Sequence, residues 1–313
     1  DQLCRDYVIR SGQIEINTNC NWRCEFCPVS IDPKPREIMK SVIFEKIVRE
    51  LSEIDTLKFV TFHFFNEPLL DPLFQERIAC LQKFGLKLAL YTNGSMVTKE
   101  VVQFLSDSGV IHDIVVNLPS LKKAEFEEIT GRRHFNKSIQ ALNILKNSGL
   151  PFQVSVNGLP DVAKKKVQMI QSEMGLGSQV FSASTCDRSG VLSNGYFQNV
   201  HIKNRLNGCS WPVNHAYFGV DGTVFLCCND YYKTERLGSV VNQSLEQIFS
   251  SKKAVDIRRR IFGVNVASED HVCRKCHNQT ENFSEREFLP IAHEHIAVKK
   301  FKRDDGGLRG SLI

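Results

Sequence analysis

The sequence has few of the features that would place a protein in a membrane, outside the cell or on nucleic acid. It contains no run of about 18 apolar residues, so no segment predicts a transmembrane helix. The first ten residues lack the apolar core of a secretory signal, and no block of Lys and Arg is dense enough to predict a nucleic-acid surface. The net charge of +5 over 313 residues is mild. We therefore expect a cytoplasmic protein with no membrane or nucleic-acid partner.

Cysteine, in contrast, is abundant, with 11 residues. Three of them, Cys20, Cys24 and Cys27, share one short stretch with the spacing C-x3-C-x2-C. A structural zinc or a fully ligated four-iron cluster takes four ligands, so three clustered thiols favour an iron–sulfur cluster with one iron left open for a small molecule. A zinc site or a chance cluster is the alternative. Without a secretory signal, clustered thiols favour a reducing compartment over disulfides.

Six predicted strands alternate with helices in the first part of the chain, which indicates a parallel α/β sheet, open or partly closed as a barrel. The strands are predicted at 13–17, 57–64, 86–91, 113–117, 151–157 and 179–183. Ligands of such folds bind at the carboxyl ends of the strands. Polar residues follow each strand there: the Cys20–Cys27 loop, Glu67, Asn93, Asn117, Asn157, and Cys186 with Arg188.

The alternation ends after residue 183, and the rest of the chain has a different pattern. The segment 184–208 is rich in Gly, Ser and Asn and is predicted to be a linker. A β-hairpin with Asp221-Gly222 at its turn is predicted over 218–226, and one helix over 244–260. We expect a helix to about residue 300 and a loose tail from 304 in the extension 282–313.

A second set of four cysteines lies in this part of the chain: Cys209, Cys227, Cys273 and Cys276. Four thiols can close a metal site across a small fold. Their spacing alone is equally compatible with zinc and with an iron–sulfur cluster.

The motifs together resemble the radical S-adenosylmethionine superfamily. Phe65-Asn66-Glu67-Pro68 resembles its Gly-Glu-Pro motif after the second strand, with Asn66 in place of the usual glycine, and Thr92-Asn93-Gly94 resembles its motif after the third. The pattern from Cys209 to Cys276 is similar to the shortened SPASM domain called twitch. The resemblance implies a partial (β/α)6 TIM-like barrel core at 1–183, then the linker, then a small α+β twitch domain with a β-hairpin at 209–281.

The resemblance also implies cofactors, namely S-adenosylmethionine and two [4Fe–4S] clusters. The first cluster would bind Cys20, Cys24 and Cys27, with the amino and carboxylate groups of S-adenosylmethionine on its open iron. The second would bind the four later cysteines.

Five further residues are predicted to contact S-adenosylmethionine. Phe26 would pack against adenine, and Glu67 would accept from the methionine amino group, which also suits a carboxylate chemically. Asn93 belongs to the strand-three motif, and Asn117 and Asn157 are candidates for the methionine end and the ribose hydroxyls. Both of the last two are equally interpretable as strand-end turn residues.

The implied chemistry is a 5′-deoxyadenosyl radical that takes hydrogen from a substrate. The first hypothesis is a dehydrogenase of a sugar or aminocyclitol, with the auxiliary cluster accepting an electron. The second is an epimerase in which Cys186 or Cys228 returns a hydrogen atom. In either, Arg188 could anchor an anionic substrate, and flavodoxin or ferredoxin would supply electrons.

The third hypothesis is modification of a ribosomal peptide. It is less expected, because only 19 residues precede Cys20 and leave no room for a leader-binding domain. A zinc-stabilised binding protein is the remote, non-enzymatic alternative.

Overall fold

A computed structural model describes residues 7–158, 160–184, 186–192 and 200–277. Its strands form a single sheet in the order β6-β5-β4-β3-β2-β1-β7-β8-β9. They are β1 (Ser11–Ile14), β2 (Phe59–Thr61), β3 (Leu88–Thr92), β4 (Ile111–Asn117), β5 (Phe152–Gly158), β6 (Val180–Ser184), β7 (His215–Phe218), β8 (Thr223–Phe225) and β9 (Arg236–Ser239). The helix and tail predicted within 282–313 lie outside the described residues.

Strands β1 to β6 are parallel, and each pairs with the next along the chain. Helices connect them, as expected for a singly wound α/β unit. They are α1 (Ser41–Ser52), α2 (Phe74–Lys83), α3 (Lys99–Ser108), α4 (Lys123–Thr130), α5 (Phe135–Lys146) and α6 (Pro160–Met174). The partial TIM-like barrel is therefore confirmed, and its parallel strands place their carboxyl ends along one edge.

Helix α1 shows why these segments pack on the sheet. Its apolar residues Phe44, Ile47, Val48 and Leu51 recur at helical spacing and are all buried. Burying each such side chain contributes about 1.5–3 kcal/mol. Strands β3 and β4 are buried on both faces over most of their length and contain mainly Val, Ile and Leu there, as is typical of parallel strands.

Strand β1 begins and ends earlier than the predicted 13–17. The Ile16 N–H donates to the Ile14 carbonyl at 3.0 Å, and the Ile16 carbonyl accepts from the Met39 N–H at 2.8 Å. The Glu15 N–H still donates to Phe218 O of β7 at 2.9 Å, and after this bond the chain turns away from the sheet toward the cysteine loop.

The second part of the chain continues the same sheet. β7 pairs in parallel with β1, and β8 and β9 follow as antiparallel strands. The predicted hairpin is present, and Gly222 at its turn has φ +84°, where a side chain would be strained. The domain boundary at 184–208 remains a prediction, and its described residues 186–192 and 200–208 contain neither helix nor strand.

The single helix predicted over 244–260 is wrong, because the chain forms two. α7 (Trp211–Asn214) comes first, and α8 (Leu245–Ser250) and α9 (Lys252–Ile261) lie where one helix was expected. Ser251 between them has φ −59° and ψ 149°, and its side chain accepts from the Ala254 N–H to cap α9. No helix within the described residues has both the length and the apolar character to cross a bilayer.

Candidate active site

The loop that carries the first three cysteines is fixed against helix α4 and the turn that follows it. The Arg23 N–H donates to Thr130 O at 2.9 Å, and the Glu25 N–H donates to Ile129 O at 3.0 Å. The buried Trp22 ring meets Phe126 edge-to-face with centroids 5.2 Å apart. These contacts set the loop's path through backbone and core packing.

Polar side chains brace the same loop from outside. The Arg23 guanidinium donates to the carbonyls of Cys20 and Trp22, both at 2.7 Å. Arg132 Nε donates to Asn21 O at 2.9 Å, and Trp22 Nε1 donates to His134 Nδ1 at 3.1 Å. Sequence patterns did not assign Arg132 and His134 to the site, since nothing in their local spacing shows that they meet this loop.

Cys24 is buried, and Cys20 and Cys27 are half-buried. Burial raises the pKa of Cys20 to about 12 and that of Cys24 well above its ordinary value, and the two neighbouring thiols raise the pKa of Cys24 further. Bound iron would favour the thiolate form of these cysteines, because a cation stabilises the thiolate.

Glu67 lies at the carboxyl end of β2 and is only 1% exposed. Its carboxylate accepts from Thr92 Oγ1 at 2.8 Å, from the Asn93 N–H at 2.7 Å and from the Leu69 N–H at 3.2 Å. Burial outweighs these donors and raises the pKa of Glu67 to about 7. A carboxylate has about four acceptor sites, so one remains for an ammonium group.

The Asn93 side chain ties the cysteine loop to the end of β3. Its Nδ2 donates to Asn21 Oδ1 at 2.8 Å, and its Oδ1 accepts from the Ser95 N–H at 2.9 Å and from Ser95 Oγ at 2.7 Å. Asn21 also donates to Ser95 Oγ at 2.8 Å. Asn93 therefore supports the loop, and its direct contact with a cofactor remains a prediction.

Asn66 replaces the glycine expected at its position without strain. Its Oδ1 accepts from the Phe64 N–H at 2.7 Å, and its Nδ2 donates to Phe62 O at 3.1 Å. The φ angle of Asn66 is not positive, so its backbone conformation does not require glycine. The side chain takes over backbone bonds that the end of β2 leaves open.

Three further predicted residues lie along this edge. Asn117 ends β4, and its buried Oδ1 has no hydrogen-bond partner among the residues that the structure describes. Asn157, near the end of β5, is half-buried, and Phe26 is partly buried against the core. A buried, unpaired amide oxygen suits a polar ligand, so Asn117 fits a cofactor at this edge.

A buried carboxylate joins the segment after the cysteine loop to the second part of the chain. Glu15, 1% exposed, pairs with Lys34 at 3.3 Å and with Lys233. Lys34 also lies 4.6 Å from the ring centroids of Phe64 and Tyr231, and burial lowers its pKa. Sequence reasoning missed this contact, because its members are far apart in the chain.

The structure also brings the second cysteine set together. Burial raises the pKa of Cys227 well above its ordinary value, and the remaining causes are its thiol neighbours: Cys228, Cys273, Cys276 and Cys209. Within the described residues, no three His, Cys, Asp or Glu side chains are grouped to hold a single metal ion. In a four-iron cluster, by contrast, each thiolate binds a different iron.

The three residues predicted to act on substrate meet beside this second set. Cys186 and Cys228 are half-buried. Burial raises the pKa of Cys228 to about 12, and the positive charge of Arg188 acts to lower it. Arg188 has φ 51°, and its guanidinium carbon lies 5.5 Å from the Phe65 ring centroid. Its Nε is buried without a hydrogen-bond partner in the described part of the chain.

Arg188 lies within electrostatic reach of thiols of both cysteine sets. Although burial acts to lower the pKa of Arg188, the thiols of Cys186, Cys228, Cys27 and Cys227 raise it. A cation near both sets, with a buried N–H that has no partner among the described residues, can bind an oxygen of a substrate placed beside it. Asn229, which donates and accepts in this region, was missed although it directly follows Cys227-Cys228.

Comparison with known proteins agrees with this geometry. A family model described as the Radical SAM superfamily matches residues 14–172, just over half of the chain. A second, SPASM, described as an iron–sulfur cluster-binding domain, matches residues 209–277. The S-adenosyl-L-methionine-dependent 2-deoxy-scyllo-inosamine dehydrogenase of Niallia circulans is 24% identical over 284 residues, or 88% of this chain and 97% of that protein.

Solved structures share the fold. The crystal structure of BtrN in complex with AdoMet and 2-DOIA has a TM-score of 0.61 at 22% identity, covering 88% of this chain and 97% of that one. Streptococcus suis SuiB bound to precursor peptide SuiA has a TM-score of 0.65 at 13% identity, covering 82% and 68%. Identities this low show the fold alone.

Proposed function

Because the chain belongs to the radical S-adenosylmethionine superfamily, we propose that it is a dehydrogenase that oxidises a hydroxyl group of an aminocyclitol or a similar small molecule. The predicted cofactors, S-adenosylmethionine and two [4Fe–4S] clusters, are confirmed by the two family matches. When bound, they supply a hydrogen-abstracting radical and an acceptor for one electron. The relative that is a 2-deoxy-scyllo-inosamine dehydrogenase supports the substrate class.

The chain's own residues would hold these groups as follows. Cys20, Cys24 and Cys27 bind the radical-generating cluster, and Cys209, Cys227, Cys273 and Cys276 bind the auxiliary one. The buried Glu67 carboxylate and the unpaired Asn117 oxygen receive polar groups of S-adenosylmethionine at the carboxyl edge of the sheet. The buried and half-buried thiols and the open acceptor atoms fit this assignment.

The observation that carries the proposal is the position of Arg188. It lies within electrostatic reach of Cys27 in the first set and of Cys227 in the second. A substrate oxygen bound to its unpaired Nε would therefore lie near both sets. Oxidation of a carbinol removes one hydrogen atom, one proton and one electron, and this location gives the electron a short path to the auxiliary cluster.

The test uses anaerobically reconstituted protein, S-adenosylmethionine, a chemical reductant and 2-deoxy-scyllo-inosamine deuterated at its carbinol carbons. We expect a ketone product and one deuterium in 5′-deoxyadenosine per turnover. Unlabelled 5′-deoxyadenosine with no ketone would refute an aminocyclitol dehydrogenase. Arg188→Lys, which keeps the charge but loses the planar fork, should raise KM more than it lowers kcat.

An epimerase is the second candidate, since the half-buried thiols of Cys186 and Cys228 lie beside Arg188. Solvent deuterium in recovered substrate, abolished by Cys186→Ala or Cys228→Ala, would favour it over the dehydrogenase. We further propose flavodoxin or ferredoxin as the electron donor and a cytoplasmic location, because the many thiols must stay reduced.

A further inference from the structure

Asn229 connects the substrate side of the site to a ligand of the auxiliary cluster. The residue is 3% exposed. Its Oδ1 accepts from Arg188 Nη1 at 3.1 Å and from Cys186 Sγ at 3.4 Å, while its Nδ2 donates to Cys276 Sγ at 3.5 Å. One amide thus contacts two of the candidate substrate-side residues and one cluster thiol.

The orientation of this amide is determined by its partners. A guanidinium can only donate, so the carbonyl oxygen of Asn229 must face Arg188. The NH2 group then faces Cys276, which becomes an acceptor when its sulfur binds iron as a thiolate. Rotating the amide by 180° would place the Asn229 NH2 group against the Arg188 guanidinium, so that two donors would face each other.

The loop that carries Asn229 is itself held rigidly. The neighbouring Asp230 carboxylate accepts from the N–H groups of Thr234 and Glu235, both at 2.9 Å, and from Thr234 Oγ1 at 2.9 Å. The Asp230 N–H also donates to Cys227 O at 3.1 Å. A side chain on such a loop keeps its direction, as a residue that positions others must.

We propose that Asn229 is a positioning residue that raises the reduction potential of the auxiliary cluster and holds Arg188 in place. An N–H donor to a cluster thiolate stabilises the reduced state, which carries more negative charge. The amide oxygen fixes the guanidinium that binds substrate. This inference rests on the proposed function, in which the auxiliary cluster accepts the substrate's electron.

Two variants separate these effects. Asn229→Asp is isosteric and keeps an acceptor for Arg188, but it replaces the donor toward Cys276 with a negative charge. Asn229→Leu removes both donor and acceptor. Asn242→Leu, the same change at an exposed position of the second part of the chain, is the matched control.

The primary measurement is the midpoint potential of the auxiliary cluster, from an EPR-monitored redox titration of full-length reconstituted protein. The auxiliary signal is the one that Cys273→Ala removes. We expect a more negative potential in Asn229→Leu, a still more negative one in Asn229→Asp and no change in Asn242→Leu. If Asn229→Leu does not retain about eight irons per chain, the isosteric Asn229→Asp decides alone.

An unchanged potential in Asn229→Asp at full iron content would overturn the inference. The Arg188 role is tested by the KM for 2-deoxy-scyllo-inosamine, which we expect to rise at least fivefold in Asn229→Leu and less than twofold in Asn229→Asp. Equal KM changes in the two variants would overturn that part. A shifted potential in protein that oxidises no alcohol would keep the potential-tuning role and refute the dehydrogenase.

Discussion

The first cysteine set comes from the single loop Cys20–Cys27, whereas the second is drawn from three separated segments around Cys209, Cys227 and Cys273. The first loop is held by backbone contacts with the end of α4, and its Asn21 accepts a hydrogen bond from Asn93. The thiols of the second set come together only when the β7–β8 hairpin and the turn Val272–Lys275 have packed against each other. In the proposed assignment, the three-thiol set would leave one iron open for a ligand, while the four-thiol set would occupy every iron of its cluster.

We expect the largest effect on activity when one thiol of the first set is removed. In Cys24→Ala we expect 5′-deoxyadenosine formation to fall at least ~1000-fold, because the reducing cluster is lost, and iron to drop from about eight to about four per chain. Anaerobic iron assay and product chromatography measure both. Cys80→Ala, on α2 outside both sets, is the control. Full iron content in Cys24→Ala would contradict the assignment.

The reciprocal change tests whether the two sets act independently. In Cys273→Ala we expect about four irons, loss of ketone product by at least ~100-fold, and 5′-deoxyadenosine formation reduced less than ~10-fold. The physical reason is that the first loop has its own supports. Product and 5′-deoxyadenosine are quantified in the same reactions. Equal loss of both would show that the sets are not separable.

A third change addresses the ligand side of the first set. Glu67→Gln replaces the charged carboxylate with a neutral amide, which is a weaker acceptor for the ammonium group of S-adenosylmethionine. Its affinity for S-adenosylmethionine should therefore fall by about 10- to 100-fold, as expected for the loss of a charged hydrogen bond. Isothermal titration gives Kd, with the exposed Glu53→Gln as control. Unchanged affinity would remove Glu67 from the binding site.

The same carboxyl group predicts a pH dependence. Its pKa is raised to about 7 by burial, so the ligand-binding carboxylate is present above pH 7 and is lost as pH falls through this value. Below pH 7, Kd of the wild-type protein should rise by up to about tenfold per pH unit, and Glu67→Gln should lose this slope. Titrations from pH 6 to 8 measure both, and a slope retained in the variant would assign the proton to another group.

The smallest expected effect is at Asn117. Asn117→Leu removes an acceptor without a described partner, so the free energy of unfolding should stay within about 0.5 kcal/mol, since no bond is lost. S-adenosylmethionine affinity should fall by about 3- to 10-fold, or about 1 kcal/mol. Denaturant unfolding and titration measure the two. Asn143→Leu, exposed on α5, is the control, and destabilisation without an affinity change would make Asn117 structural.

The sequence predicts features that depend on near neighbours. The spacing of Cys20, Cys24 and Cys27 and the polar residues at the strand ends place the first site, because parallel strands bring their carboxyl ends to one edge. The Asp221-Gly222 pair likewise predicts the turn of the hairpin.

Features that depend on distant segments could not be predicted in this way. The pairing of β7 with β1 and the contact of Asn229 with Cys276 join segments whose proximity appears only in the fold. The interruption of the helix at Ser251 was not predicted for a different reason. A single extended serine between two helices hardly changes the spacing of the apolar residues on either side of it.

Strand β1 pairs on one side with β2 and on the other with β7. Because β1 leads into the first cysteine loop and β8 ends two residues before Cys227, the strand between them, β7, would separate the two proposed cluster sites. Because ladder hydrogen bonds resist sliding, the distance that an electron would cross between clusters bound at these sites would depend on the strand register. An insertion in β1 would be expected to change the rate of electron transfer without altering a single ligand.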